Sequence, residues 1–142
     1  MPSIIEAQQE LTDAFAMFDD WMDKYQYIID LGAELPEMPA ELKIDDNVFH
    51  GCQSLVWLTS ATDGDKLRLQ AASDSAIVRG LIYMLLSLYN GRSAREILEN
   101  PPEFINTVGL QRHLSPNRST GLAAMVGEIR RRAALILSLI HI

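Results

Sequence analysis

The chain has 142 residues, of which 12 are basic and 19 acidic, so its formal net charge is −7. This excess of acids argues against nucleic-acid binding, which needs a basic surface. With one cysteine, the chain by itself cannot form an internal disulfide, a four-cysteine zinc site or a cysteine-ligated iron–sulfur cluster. A hydrophobic share of 48% suffices for one core, so we expect a single domain over residues 1–142.

The first third of the chain predicts two amphipathic helices. Apolar residues recur at helical spacing in each of them, as Ile4, Leu11, Phe15 and Phe18 and then Trp21, Tyr25, Ile28 and Ile29. Asp19 or Asp20 can cap the second helix, and Gly32 can end it. The proline-containing segment 34–39 then reads as an extended connector.

The middle of the chain predicts strands. Residues 55–59 are β-branched and aromatic, and apolar and polar residues alternate over residues 67–71. Between them, Asp63-Gly64 is a turn signal, so a hairpin is expected. Val48-Phe49 can add a short third strand.

Helical spacing returns after the hairpin. Ser73 or Asp74 is expected to cap a helix with inner residues from Ile77 to Leu88, which Asn90-Gly91 ends. A short helix starts at Ser93 and runs to Leu98, before Pro101-Pro102. Ser115-Pro116 is a cap and first-position pair for a long last helix, with a buried stripe at Leu122, Met125, Val126, Ile129, Ala133 and Ile136. The fold class is therefore α+β: a small three-stranded antiparallel sheet packed against several α-helices.

The end of the chain and the charge distribution are uneven. Residues 133–142 are apolar almost all round, so they either pack against a neighbour, a second copy in a homodimer included, or form an irregular or non-native tail over the last six or seven residues. Residues 1–46 carry twelve acids and two lysines, whereas residues 47–142 carry seven acids and ten bases. Such a split serves either two solvated faces or a partner-docking surface.

The expected cellular compartment is inferred from two features that the sequence lacks, a membrane span and a signal peptide. No window approaches the ~18 continuous apolar residues of a membrane span. The start of the chain, residues 1–6, has neither the basic end nor the apolar run of a signal peptide. We expect a cytoplasmic protein with no membrane contact.

Most catalytic motifs are missing from the sequence. It has no phosphate-binding GxxxxGK[ST] loop, no GxGxxG and no HExxH, and its three histidines are scattered. A serine triad cannot be argued, because no serine has a nucleophile-elbow context. A metal site at His50 and Cys52 would need two more donors, and nothing clusters to supply them. We therefore expect neither metal nor cofactor.

Cys52 is the remaining candidate. A lone cysteine is most often a small buried hydrophobe, but this one follows Gly51 in a turn before a strand, where reactive groups concentrate. As a thiolate it is the best soft nucleophile that the chain has. Among its close sequence neighbours only His50 can lower its pKa, which suits exchange with a reactive sulfur better than amide hydrolysis.

At this residue the sequence resembles the SufE family of sulfur acceptors for cysteine desulfurases. The two most specific motifs are Gly-Cys-Gln-Ser before Val-Trp, at residues 51–57, and Leu-Ser-Pro-x-Arg-Ser, at residues 114–119. The matching blocks are residues 21 with 24–29, 31–32, 35–36, 50–54 with 56–57, 73–74 with 76–82, 110, 113–119 and 121–122. One departure is Ala71-Ala72-Ser73-Asp74, where the family often has Gly-Asp-Ser-Asp.

The resemblance implies a mechanism and a fold. Cys52 would attack the persulfide on a pyridoxal-phosphate cysteine desulfurase of the SufS type, stimulate that enzyme, and pass the sulfur to a cluster-assembly scaffold. The fold would be the SufE/IscU-like α+β fold, but a chain with one cysteine carries sulfur rather than building a cluster. Partner binding or support of the cysteine loop is assigned to His50, Gly51, Gln53, Asp74 and Arg118.

Other interpretations stay open. The chain could be a non-covalent regulator of a desulfurase in which Cys52 only fills space, a partner of a CsdA-type desulfurase, or a small thiol hydrolase or transferase that acts on its own substrate. Arg118, in the first turn of the last helix, is unfavourable against the helix dipole, so it either contacts a partner or the cysteine loop, or pairs with an acid of residues 1–46. We also expect Cys52 to be partly shielded, because an exposed persulfide would be lost to solvent thiols.

Overall fold

The computed structural model describes residues 1–140, the last of them by its backbone alone. The helices and strands, in chain order, are α1 (Ile4–Ala16), α2 (Trp21–Gly32), two 3₁₀ turns (Ala40–Leu42 and Asp45–Asn47), β1 (Val56–Asp63), β2 (Lys66–Ser73), α3 (Ala76–Tyr89), β3 (Arg92–Ser93), α4 (Ala94–Glu99), α5 (Phe104–Val108), α6 (Leu110–His113) and α7 (Pro116–Ile140). The architecture is α+β, as predicted.

Side-chain caps start the first two helices where the sequence predicts them. Ser3 and Glu6 form a reciprocal capping box at α1, in which each side chain accepts a hydrogen bond from the other's backbone N–H. Asp20, one of the two predicted residues, caps α2 by accepting from the N–H of Asp23 at 2.9 Å. Both helices bury one face, which includes Phe15 and Ile28, in the central core.

The sheet is antiparallel, with strand order β1-β2-β3. Strands β1 and β2 pair from Val56 opposite Ser73 to Asp63 opposite Lys66, and the hairpin turns at Gly64, whose φ of 64° is a glycine conformation. The third strand was predicted at Val48-Phe49, and this was wrong. Strand β3 is Arg92–Ser93 beside the start of β2, whereas Val48 makes one isolated bridge to Trp57, because the chain turns away after a single pair.

The cap of α3 also differs from the prediction. Ser75, and neither Ser73 nor Asp74, is the N-cap: its Oγ accepts from the N–H of Val78 at 3.4 Å. Ser73 still belongs to β2, and its Oγ instead accepts from the N–H of Ser75, while Asp74 is exposed. The strand therefore continues two residues further than the sequence pattern suggests before the helix can begin.

The second half packs helices against the hairpin and α3. Helix α4 begins after Ser93, as predicted, and its first turn is held by a capping box between Ser93 and Glu96. The short helices α5 and α6, between Pro102 and Ser115, were not predicted. Helix α7 begins at Pro116, as predicted, and buries all of the predicted stripe except Val126, which is half-buried.

The end of α7 is helical as far as Ile140. Residues 141 and 142, to which the alternative of an irregular tail also applies, lie outside the described residues. Leu135 and Leu139 are exposed on the last turns. Within residues 1–140, no helix combines the length and the apolar character needed to cross a bilayer.

Candidate functional site

The Cys52 loop, residues 50–55, is closed at its base by β-type contacts. The N–H of Phe49 donates to the carbonyl of Val56 at 2.8 Å, and Val48 bridges to Trp57 one step further out. These contacts hold the two ends of the loop together at the start of β1. The tip, with Cys52, is therefore presented from a fixed base, as is usual for loops that carry reactive groups.

The tip of the loop lies on the first half of α7. The Cys52 thiol, which is half-buried, donates to the carbonyl oxygen of Gly121 with a sulfur–oxygen distance of 3.6 Å. Gly51 lies between the ring of Phe49 and the methyl of Ala124, so close that a Cβ on Gly51 would stand 2.4 Å and 2.9 Å from their nearest atoms. A side chain on the glycine before the cysteine would therefore force the Phe49 ring or the loop to shift.

Cys52 borders a cavity of about 240 Å³ between α3 and α7. The buried walls of the cavity are apolar side chains of these two helices, namely Val78, Leu81, Ile82, Leu85, Leu122 and Met125. Exposed polar residues border the same space, namely Gln53, Ser115, Asn117 and Arg118. The thiol therefore stands between an apolar interior and a polar mouth.

The surroundings of Cys52 keep its thiol protonated. Partial burial raises the pKa of Cys52, because a thiolate loses solvation there. Among the described residues, those that border the cavity include neither a histidine nor a carboxylate. The described residues that line the cavity thus offer no general base for hydrolysis, and the resting thiol is a poor nucleophile until its surroundings change.

The structure brings some of the sequence-predicted site residues together and leaves others apart. Gln53 and Arg118 border the cavity with Cys52, and Gly51 fixes the loop on α7. His50 is exposed on the loop, and Asp74 is exposed directly after β2, whose last residue Ser73 pairs with Val56 beside the loop. Neither His50 nor Asp74 borders the cavity.

Arg118 lies at the cavity mouth without an acidic partner in the described part of the chain, where the ion pairs involve other arginines. The sequence left two interpretations of Arg118. Its position fits the one in which Arg118 contacts a partner or the cysteine loop, and not the one in which it pairs with an acid of residues 1–46. On its other side Arg118 borders a shallow depression with Tyr25, Ile29 and Ser75. It therefore connects the cysteine site with the surface of α2 and α3.

His113 is not part of the cysteine site. Its ring stacks on Trp21, with centroids 4.0 Å apart, and its carbonyl accepts a hydrogen bond from the hydroxyl of Tyr25. Within residues 1–140, no group of three or more histidine, cysteine or carboxylate side chains is arranged to hold a metal ion.

Some residues of the site were not singled out from the sequence. Ser54, Ser115, Asn117 and Gly121 border the cavity with Cys52. The available signal was their position inside the resemblance blocks 50–54, 113–119 and 121–122, which the fold brings together. Of the apolar walls from α3, Val78, Leu81 and Ile82 also lie in a resemblance block, 76–82. Their spacing is that of any buried helix face, so the sequence did not distinguish them from ordinary core residues.

Comparison with known families decides what kind of protein this is. Residues 9–133 match the profile of the family described as "SufE: Fe-S metabolism associated domain". The chain belongs to the SufE family. Its role is accordingly in iron–sulfur metabolism. Leu135 and Leu139, exposed on the last helix, lie beyond the matched residues.

Two relatives and one solved structure agree with this membership. The chain is 38% identical over 129 residues to an uncharacterised SufE-like protein of Rhizobium meliloti (strain 1021), covering 87% of this chain and 92% of the relative. A SufE-like protein of Rhizobium etli is 40% identical over 129 residues, covering 87% of each. The solution structure of a hypothetical protein from Thermus thermophilus superposes with a TM-score of 0.74 at 22% identity, over 93% of this chain and 96% of that one. It supports the α+β fold alone.

Proposed function

We propose that this SufE-family chain is a sulfur carrier that accepts a persulfide sulfur on Cys52. The donor is a pyridoxal-phosphate cysteine desulfurase of the SufS type, which the chain stimulates, and the recipient is a cluster-assembly scaffold. The observation that carries the proposal is the position of the one thiol, between an apolar cavity and a polar mouth. The pyridoxal phosphate belongs to the desulfurase, and we propose that both proteins are cytoplasmic.

The transfer is a thiol–disulfide type of exchange. The Cys52 thiolate attacks the outer sulfur of the desulfurase persulfide, a new sulfur–sulfur bond forms, and the bond to the desulfurase cysteine breaks. That cysteine leaves as a thiolate and takes up the proton that Cys52 has lost. The sulfane sulfur is relocated with no net oxidation, so the step needs no redox cofactor.

The cavity gives the persulfide a protected place. Its volume of about 240 Å³ exceeds the roughly 30 Å³ share of one water molecule in the liquid, so one added sulfur atom fits beside apolar walls. Shielding of this kind slows attack by small thiols in solution. The half-buried thiol agrees with the expectation that Cys52 is partly shielded at rest.

We propose that a partner activates the thiol, because partial burial raises the pKa of Cys52 in the chain alone. Because burial is the cause of the shift, any rearrangement that exposes Cys52 lowers the pKa and increases the thiolate fraction. Gln53 and Arg118 border the mouth and are exposed, and we propose that they contact a docking desulfurase. Arginine suits that purpose, since its planar group makes oriented ion pairs.

Intact-mass spectrometry tests the proposal directly. The chain is mixed with a SufS-type desulfurase and free cysteine, and its mass is taken with and without reductant. We expect one or more sulfur atoms on the wild type, removed by reductant, and none on Cys52→Ala or Cys52→Ser. The absence of reductant-labile sulfur on the wild type would refute the carrier function.

The Cys52→Ser variant separates the carrier from the non-covalent regulator. Serine nearly preserves the shape of the side chain but cannot form a persulfide. A carrier loses the stimulation of multiple-turnover desulfurase activity in this variant, whereas a regulator that uses Cys52 to fill space retains it. The same assay with a CsdA-type desulfurase in place of the SufS-type enzyme determines partner preference.

A further inference from the structure

Gly121 allows a close approach between α7 and Cys52 that no other residue type would permit unchanged. A Cβ built on Gly121 would stand 3.0 Å from the Cys52 sulfur, and 3.6 Å and 3.7 Å from its Cβ and Cα. A side chain at position 121 would thus face the whole of Cys52. The same glycine supplies the carbonyl that accepts the S–H hydrogen bond at 3.6 Å.

A second contact lies one helical turn further along α7. Ala124, three residues after Gly121, projects from the same face of the helix, and its methyl packs against Gly51, where a Cβ would stand only 2.9 Å away. Gly51 and Cys52, which are consecutive in the loop, therefore lie on Ala124 and Gly121 of α7. The contact involves the side chain of Cys52 itself and is not confined to the loop backbone.

We infer that Gly121 is a positioning residue that sets how closely the Cys52 thiol lies against α7 and thereby how readily it exchanges sulfur. The inference rests on the proposed function for its biological meaning, although its geometry is independent of it. The S–H bond to the Gly121 carbonyl holds the protonated form, because a thiolate there would face a carbonyl oxygen with no proton between them. Release of the thiol from Gly121 is the step that makes Cys52 reactive.

The main test is the rate at which iodoacetamide alkylates Cys52 in the full chain. Cys52 is the only cysteine, so each modified molecule reports this site. In Gly121→Ala the new methyl displaces the sulfur from the helix, and we expect alkylation several-fold faster than in the wild type. Gly127→Ala is the matched control: it is the same substitution on the same helix, but nothing lies within 4 Å of its Cβ. We expect its rate to equal that of the wild type.

A spectroscopic readout distinguishes positioning from general loosening. The S–H stretching band of the single thiol rises in frequency when its hydrogen bond is lost. We expect this rise in Gly121→Ala and not in Gly127→Ala. The alkylation profile against pH gives a further readout, since release from burial moves its midpoint to lower pH.

A second pair of variants covers the case in which Gly121→Ala does not fold. Ala124→Gly removes the methyl beneath Gly51 and adds no atom, and its control, Ala123→Gly, makes the same change at an exposed neighbouring position. We expect faster alkylation in Ala124→Gly than in Ala123→Gly. Equal rates within each pair of folded variants would overturn the inference, as would slower alkylation in Gly121→Ala.

Failure of this inference and failure of the proposed function give different results. If Gly121 does not position the thiol, the alkylation rates coincide while the wild type still acquires sulfur from the desulfurase. If the chain is not a carrier, the wild type acquires no sulfur, while the alkylation difference between Gly121→Ala and Gly127→Ala persists. Where both hold, Gly121→Ala also loses its persulfide to added thiols faster than Gly127→Ala.

Discussion

Glycines bring elements of this molecule close together both between α2 and α3 and between the cysteine loop and α7, and the two places differ in what the glycine touches. Where α2 crosses α3, a Cβ on Gly80 would stand 1.9 Å from the carbonyl oxygen of Ile28, and one on Gly32 would stand 2.7 Å from the N–H nitrogen of Gly80. Where the cysteine loop meets α7, a Cβ on Gly121 would stand 3.0 Å from a side-chain sulfur. Between α2 and α3, backbone atoms lie against backbone atoms. At Gly121, the nearest atom is the Cys52 sulfur, which can move by rotation about the Cα–Cβ bond.

The difference separates a fixed interface from an adjustable one. Backbone atoms inside packed helices cannot move without disturbing the hydrogen bonds and packing on both sides, so the α2–α3 contact has one arrangement. The sulfur of Cys52 can rotate about a single bond and leave the other contacts in place. The proposed sulfur transfer needs this second kind of contact at the reactive atom.

The largest expected effect is at the fixed contact. Gly80→Ala forces its methyl into the Ile28 carbonyl, so we expect the free energy of unfolding in urea to fall by about 3 kcal/mol or more, the upper part of the range for overpacking. Gly127→Ala, in open space, should gain up to about 1 kcal/mol from helix propensity. If Gly80→Ala matched Gly127→Ala, the α2–α3 contact would be adjustable after all.

A pH-dependent effect on stability is expected at the C-terminal end of α3, where Tyr89 is fully buried in the core. Burial, the main cause, raises the pKa of Tyr89 to about 12, and its hydroxyl donates to the carbonyl of Asn100 at 2.8 Å. Since the unfolded pKa is about 10, the folded state binds the proton more tightly. Its stabilisation is complete below pH 10 and is lost as the pH rises towards 12, by on the order of 2–3 kcal/mol.

Tyr89→Phe isolates that effect. The variant should lose roughly 1 kcal/mol at neutral pH, from the missing hydrogen bond, and should show a shallower decline in stability between pH 10 and 12 than the wild type. Urea unfolding at each pH measures both quantities. Parallel declines of wild type and variant would show that Tyr89 ionises freely and that this end of α3 opens easily.

A smaller effect is expected where the tip of the cysteine loop lies on α7. A methyl on Gly51 would stand 2.4 Å from the Phe49 ring and 2.9 Å from the Ala124 methyl, but the ring is half-buried and can turn aside. For Gly51→Ala we therefore expect a stability loss of about 1–2 kcal/mol, together with faster alkylation of Cys52. Gln53→Ala, an exposed substitution in the same loop, serves as the control for stability.

The sequence predicts features that depend on neighbouring residues better than features that depend on distant ones. Helix starts at Asp20, Ser93 and Ser115-Pro116 were predicted correctly, because capping depends on residues three positions apart. The third strand was misplaced, since Arg92–Ser93 becomes a strand only by lying beside the start of β2. That pairing joins residues far apart in the chain, and no local pattern encodes it.

The functional site likewise contains residues that the sequence could single out and others that only the fold reveals. Cys52 could be proposed from its loop and its motif, and Arg118 from its position in the last helix. The cavity could not be predicted, because its walls come from α3 and α7 and have the spacing of ordinary core residues. Gly121 is the instructive case: its motif marks the position, but only the distance to the Cys52 sulfur gives it a role.

The smallest expected effect on stability is at Gly121, and it tests the comparison most directly. Gly121→Ala and Gly80→Ala are the same substitution within helices, and both introduce a close contact. At position 121 the atom in the way is a rotatable sulfur, so its displacement is offset by the helix propensity gained. We expect unfolding free energies within about 1 kcal/mol of the wild type, against a loss of about 3 kcal/mol or more for Gly80→Ala. A comparable loss at both positions in urea unfolding would mean that Cys52 is fixed as rigidly as the core, and that sulfur exchange requires the whole loop to leave α7.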